Sequence, residues 1–298
     1  MRIAVSGASG LIGGALCRAL AARGDRVLRL VRRTARGDDE ISWDWPLGRL
    51  EVAKLEDLDG FVHLAGKSIA VRWNAQTLKQ VRESRVHGTA HIAESLAGLE
   101  RPPGVLVSAS AIGFYGDGRG RNLDDLMPRG EGWMAGLCEA WEAATLPAAK
   151  AGIRVALPRI GVVLSAEGGA LRKMLPAFRL GLGGRLGDGK QGMSWIGLHD
   201  LVRILIFAID NAEVSGAIVA TAPHPVSNDE FTRTLARVLR RPAILPVPAF
   251  VISMMFGEMG RRLLLDGDFI RPTRLQQTGF RFDDPTLEPA LRRELDRI

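Results

Sequence analysis

Three glycines spaced three apart carry the first chemistry the chain can do. Arg2-Ile3-Ala4-Val5-Ser6 is strand-like, Gly7-Ala8-Ser9-Gly10-Leu11-Ile12-Gly13 turns, and an alanine- and leucine-rich helical pattern follows. Gly7 suits a tight turn at a strand end, Gly10 lets a phosphate reach bare backbone, and Gly13 lets a helix pack close to a sheet. N–H groups at the start of that helix then attract a pyrophosphate, with Gly7, Ser9, Gly10, Leu11 and Ile12 as the expected contacts. Arg32 and Arg33 end the next strand-like run, Arg26–Val31, and no acid follows before Asp38. An acid there would hold the ribose hydroxyl of NAD, whereas a guanidinium pairs with the extra phosphate of NADP, so NADP is the expected cofactor. Leu64, Ala65 and Gly66 close a third strand-like run and are small enough for a cofactor to lie against them. Ser108, Ser110 and Tyr115 put hydroxyl groups at the end of a fourth. Arg85 and Arg159 are candidates to anchor cofactor phosphate or substrate. His63, inside an apolar strand, reads as a core or supporting histidine.

The elements that must position these groups alternate. Strand-like runs at Phe61–Leu64, Val105–Val107 and Arg154–Leu157 are separated by helical patterns over Thr77–Leu99 and Trp133–Lys150, with a polar, glycine-rich mobile loop expected between Asp117 and Gly132. Such alternation through residue 164 predicts a parallel, doubly wound α/β sheet. The pattern then changes. A helix opens at Gly168-Gly169, a glycine-dense loop covers 181–192, and Ile218–Ala220 reads as a last sheet strand. Short helices over Asp229–Leu239 and Ala249–Leu265 and a closing amphipathic turn complete the chain. Residues 1–164 with about 195–222 form the expected dinucleotide domain, and 165–194 with 223–298 a smaller lobe over the carboxyl edge of the sheet.

Composition narrows the class. The 298 residues are 46% hydrophobic and 24% charged, with a net charge of +7 and two cysteines, Cys17 and Cys138. That is a globular composition without a disulfide framework or a zinc pattern, so no metal is expected and a cytoplasmic setting is the default. The arginines are interleaved with acids rather than arrayed in a stripe, and no apolar run is long enough to span a bilayer. Neither nucleic acid nor membrane is expected as a partner; a small-molecule substrate is.

Together the glycine turn, Leu64-Ala65-Gly66, the Ser108–Tyr115 region and His199-Asp200 resemble the extended short-chain dehydrogenase/reductase superfamily. Arg72-Trp73, Ser84-Arg85, Arg159-Ile160-Gly161-Val162-Val163-Leu164, Gly168-Gly169, Ser194-Trp195-Ile196 and the tail from Pro246 through Gly279-Phe280 are similar to its epimerase/dehydratase-like family with a C-terminal DUF1731 domain, here about residues 246–295. The resemblance implies a Rossmann-type fold, NADP, a mostly helical substrate lobe, Trp195 and His199 as substrate contacts, and pairing of two copies through the two long helices. One departure matters. The superfamily's proton-transfer pair is a Tyr and a Lys one helical turn apart, and on the corresponding helix this chain has Met134 and Cys138. Ser108, Ser110 and Tyr115 are left as proton donors, Cys138 reads as packing, and His199 with Asp200 reads first as a helix cap. Two functions follow: an NADP-dependent oxidoreductase or epimerase with an atypical site, or a non-catalytic NADP(H) sensor.

Overall fold

A computed structural model describes residues 1–296. The first half winds as the alternation predicts. Strand β1 (Arg2–Ser6) leads to helix α1 (Leu11–Ala22), β2 (Arg26–Val31), β3 (Glu40–Asp44) and the short β4 (Arg49–Leu50). Then come β5 (Gly60–His63), α2 (Ala75–Ala97), β6 (Val105–Ser108), β7 (Ser110–Ala111), β8 (Arg119–Asp124), α3 (Trp133–Ala143), α4 (Leu146–Lys150), β9 (Arg154–Ile160) and β10 (Val162–Leu164). The second half adds α5 (Gly169–Arg179), β11 (Gly192–Met193), β12 (Trp195–Gly197), α6 (Leu198–Asp210), β13 (Gly216–Ala220), β14 (Val226–Ser227), α7 (Asn228–Leu239), α8 (Ala249–Gly260), β15 (Gly267–Arg271), α9 (Thr273–Gln277) and α10 (Leu287–Leu295).

The main sheet runs β13-β9-β6-β5-β1-β2-β3-β4, with β7 beside β9. Every pairing is parallel except that of β3 with β4. A parallel sheet must be covered on both faces, and the central strands β1, β5 and β6 are accordingly almost wholly buried. Leu16 and Leu20 of α1 with Leu201 and Leu205 of α6 bury one face; Ile92 and Leu96 of α2 with Ala148 of α4 bury the other. The order reverses beside β1, between β5 and β2, so the crevice opens at the carboxyl ends of these strands.

Three expectations need correction. The stretch from Asp117 to Gly132 is not simply a loop: β8 pairs in parallel with β15, and the Asp268 carboxylate accepts from the Arg121 backbone and guanidinium. The helix expected over Trp133–Lys150 breaks after Ala143, because Pro147 cannot donate to a continuing ladder and serves in the first turn of α4 instead. The helix from Ala249 breaks at Gly257, whose φ of 60° and ψ of −142° leave the helical region. Among the described residues no helix is long and apolar enough to cross a membrane.

Candidate functional site

The glycine turn is built for close approach. Gly7 has φ +71°, and a Cβ there would lie 2.9 Å from the backbone of Leu64 and Ala65. A Cβ on Gly13 would collide with the Gly7 carbonyl oxygen. Gly10 caps α1 with no side-chain hydrogen bond, and no acid stands in the helix's first turn. Its leading N–H groups and the positive end of its dipole therefore face the crevice uncompensated. Ser9 and Gly10 are exposed, and Leu11 and Ile12 are half-buried beside them. Across the switch point, Ser6 Oγ accepts from the N–H groups of Leu64 and Ala65 at 3.1 and 3.3 Å, which fixes the strand end that flanks the turn. With its lone pairs so used, the Ser6 hydroxyl donates to His63 Nδ1 at 2.7 Å, which leaves the imidazole proton on Nε2. His63 is fully buried, and burial depresses its pKa to about 4. It supports the strand ends and does not face the crevice.

The paired arginines separate. Both are exposed, but Arg33 makes a bidentate ion pair with Glu40 at 2.6 and 2.7 Å, and that pairing holds the Glu40 carboxyl down near about 2. Glu40 lies two residues past Asp38 on β3, which packs beside β2 and so returns a carboxylate to the strand end. Among the described residues Arg32 has no ion-pair or hydrogen-bond partner. Arg85 lies beside the Leu64–Gly66 strand end: it donates to the Lys67 carbonyl at 2.9 Å, lies 5.0 Å from the Trp141 ring centre, and would touch a Cβ on Gly66. Among the described residues no carboxylate pairs with it, and burial lowers its pKa.

Arg159 turns inward instead. It is 6% exposed, donates to both Glu142 oxygens at 2.9 Å, and stacks 3.3 Å from the centre of the Phe114 ring. Its Nη1 also donates to the Tyr115 hydroxyl at 3.1 Å, and Ser110 Oγ donates to Glu142 at 2.6 Å. Ser110, Glu142, Arg159 and Tyr115 thus form one buried network beside the end of β9. Tyr115 is 2% exposed and its pKa is pushed up to about 12, chiefly by burial. Ser108 is not part of this network. Its position in register with His63 puts it on the α2 face of the sheet, where its Oγ is buried with no hydrogen-bond partner among the described residues.

The two residues assigned to substrate lie elsewhere. Trp195 is completely buried, its Nε1 donating to the His224 carbonyl at 3.1 Å; a strand flanked by apolar layers has taken it into the core. His199, at the start of α6, meets Asp283 at 2.8 Å, while Asp200 accepts from Arg203 and from the Asp283 and Asp284 backbones. These groups staple the C-terminal segment to α6. Cys138 is buried and its thiol is raised to about 12, again by burial first, so it packs rather than reacts. Glu142 was missed. Met134, Cys138 and Glu142 are spaced by four along α3, so the helical face that carries Met134 and Cys138 meets a carboxylate one turn later.

A doubly wound parallel sheet with an uncapped glycine turn at its switch point defines a dinucleotide-binding protein of Rossmann type. This chain belongs to the NAD dependent epimerase/dehydratase family: residues 3–220 match that family's model, and residues 247–294 match the domain of unknown function DUF1731. An epimerase family protein of Mycobacterium tuberculosis is 42% identical over 290 residues, 97% of this chain and 96% of that one. The human epimerase family protein SDR39U1 is 36% identical over 98% of this chain and 99% of its own length. The crystal structure of human SDR39U1 with NADPH superposes over the full length of both chains with a TM-score of 0.92 and 33% identity. A nucleoside-diphosphate sugar epimerase from Corynebacterium glutamicum matches 99% of this chain with a TM-score of 0.82 and 34% identity, and the match covers 58% of that chain.

Proposed function

We propose that the chain is an NADP(H)-dependent oxidoreductase or epimerase acting on a small polar substrate from a site that lacks the Tyr–Lys pair. The observation that carries the reading is the turn: Gly7 and Gly13 let it close against the Leu64–Ala65 strand end and against itself, where a Cβ would collide, and the α1 N-terminus has neither cap nor acid. A dinucleotide fits it by geometry and charge. The Gly7–Ile12 backbone would hold the pyrophosphate, Leu64–Gly66 and Arg85 would flank the rest, and Arg32 would take the 2′-phosphate. NADP(H), when bound, supplies or accepts a hydride. The NADPH present in the human SDR39U1 structure supports the same cofactor here. Both cysteines are free, which supports a reducing cytoplasm.

The proton is this chain's own task. Because Arg159 donates to the Tyr115 oxygen, the phenol keeps its proton to give. A pKa near about 12 keeps it protonated at neutral pH, so it acts as an acid and not as a ready base. Ser110 spends its proton on Glu142 and can only accept. One donor and one acceptor side by side suit delivery of a proton to a carbonyl oxygen better than removal of one from an alcohol. The smaller lobe, 165–194 with 223–298, closes over this edge in the same reading, and α2 with α3 is the surface for a homodimer.

One observation favours a second reading, a non-catalytic NADP(H) sensor. Ser108, Ser110 and Tyr115 are all buried, and two of them are tied to Glu142 and Arg159. NADPH oxidation across aldehydes, ketones and nucleoside-diphosphate sugars separates the two. The enzyme reading expects turnover that falls at least roughly a hundredfold in Tyr115→Phe. Tight NADPH binding without turnover on any of them supports the sensor.

A further inference from the structure

The surplus positive charge is concentrated in two segments of the chain. Residues 172–190 and 237–262 hold ten Lys and Arg residues against two acids, Asp188 and Glu258, while the whole chain carries +7. The rest of the molecule is therefore close to neutral. These two segments lie together: Val247 N–H donates to the Arg185 carbonyl and Gly187 N–H to the Val247 carbonyl, both at 2.9 Å. The same segments hold most of the large apolar side chains exposed among the described residues, including Leu180, Leu182, Ile244, Phe250, Met254 and Met255.

Helix α8 is the centre of this face. Its sequence, Ala249-Phe250-Val251-Ile252-Ser253-Met254-Met255-Phe256, is apolar on every side. A helix of that kind is ordinarily enclosed. This one is buried only through Ile252 and Gly260; Phe250 is 71% and Met254 76% exposed. Along the paired segments that lead into it, Arg179, Arg185, Arg240 and Arg241 are exposed, Arg241 donating to the Arg179 carbonyl, and none is in an ion pair among the described residues.

The charge selects the occupant. A second copy docking through the same face would oppose two surfaces of one sign. A nucleic acid would satisfy the arginines but leave the methionines and leucines in water. An anionic bilayer satisfies both, since its headgroups take the guanidinium groups and its acyl boundary takes the side chains of α8. We propose that this face docks on an anionic lipid surface, with α8 lying in the plane of the interface. The expectation of no membrane partner rests on the lack of a spanning segment, and a helix lying on the surface needs none.

The test is co-sedimentation of the full chain with vesicles of phosphatidylcholine alone or mixed equally with phosphatidylglycerol. The expected result is binding at least roughly tenfold tighter to the anionic vesicles, weakened by high salt. Met254→Asp with Met255→Asp should abolish it by placing charge in the acyl boundary. Arg240→Ala with Arg241→Ala should weaken it roughly tenfold and flatten its salt dependence. All four sites are on the surface, so unfolding temperature and NADPH affinity should match wild type in both variants. Equal or absent partition on the two vesicle types would overturn the proposal, as would binding that neither variant changes. A concentration-dependent dimer that only the aspartate variant dissolves, without vesicle binding, would assign the face to a second copy and overturn it too.

Discussion

Tyr115 is the only tyrosine among 298 residues, so the ionisation of one phenol can be followed by ultraviolet absorbance with no label. Burial lifts its pKa from 10 to about 12 against the lowering pull of Arg159. A folded-state pKa above the unfolded value means the stabilisation is complete below pH 10 and is lost as pH rises from 10 to 12. Two units correspond to about 3 kcal/mol for a side chain this deeply buried. In a stopped-flow jump to about pH 11, an exposed tyrosine would be about nine-tenths ionised within the mixing time, and the folded protein only about one-tenth. The remaining amplitude should arrive at the rate of unfolding. Glu142→Gln sharpens the test. It removes the charge that neutralises Arg159, so the guanidinium acts on the phenol alone and the midpoint should fall by about one unit. An early amplitude like that of free tyrosine, or a midpoint that ignores Glu142→Gln, would refute the buried network.

Other consequences are as direct. Gly13→Ala sets a methyl against the Gly7 carbonyl, so NADPH affinity by fluorescence titration should fall roughly a hundredfold or more; an unchanged affinity would mean the turn does not hold the dinucleotide. Arg33 is held by Glu40, so Arg33→Ala should alter NADPH affinity by less than roughly threefold, and a larger loss would show that the ion pair opens on binding. His63 is neutral and buried with a pKa near about 4, so its contribution is whole above pH 6.5 and drains away as pH falls toward 4, by about 3 kcal/mol. Urea unfolding followed between pH 7 and 4 should show that slope in wild type and a shallower one in His63→Phe; parallel profiles would contradict the buried imidazole.

Much of the fold was legible because a doubly wound sheet is written locally. Each strand is a short apolar run and each helix has its own period, so β1, β5, β6 and β9 and helices α1 and α2 fall where the residues place them. The cofactor turn was legible for the same reason: its glycines meet each other and the neighbouring strand end. What the sequence hid depends on contacts distant along the chain. β8 is polar and glycine-broken, and only its partner β15, more than 140 residues on, makes it a strand. Glu40 reaches Arg33 because β3 returns beside β2. Trp195 sits in a motif-like stretch, yet two apolar layers close over it. Arg159 reads in sequence as either a ligand anchor or a structural ion pair, and Glu142, on another element, decides for the pair.

The central claim is that the α1 N-terminus holds a dinucleotide whose extra phosphate is read by Arg32, and calorimetric titration of NADPH and NADH into wild type and Arg32→Ala tests it most directly. The account predicts uptake of NADPH by wild type, with NADH at least roughly tenfold weaker, and loss of that preference in Arg32→Ala. Failure of wild type to take up either coenzyme, or a preference that survives the substitution intact, would contradict it.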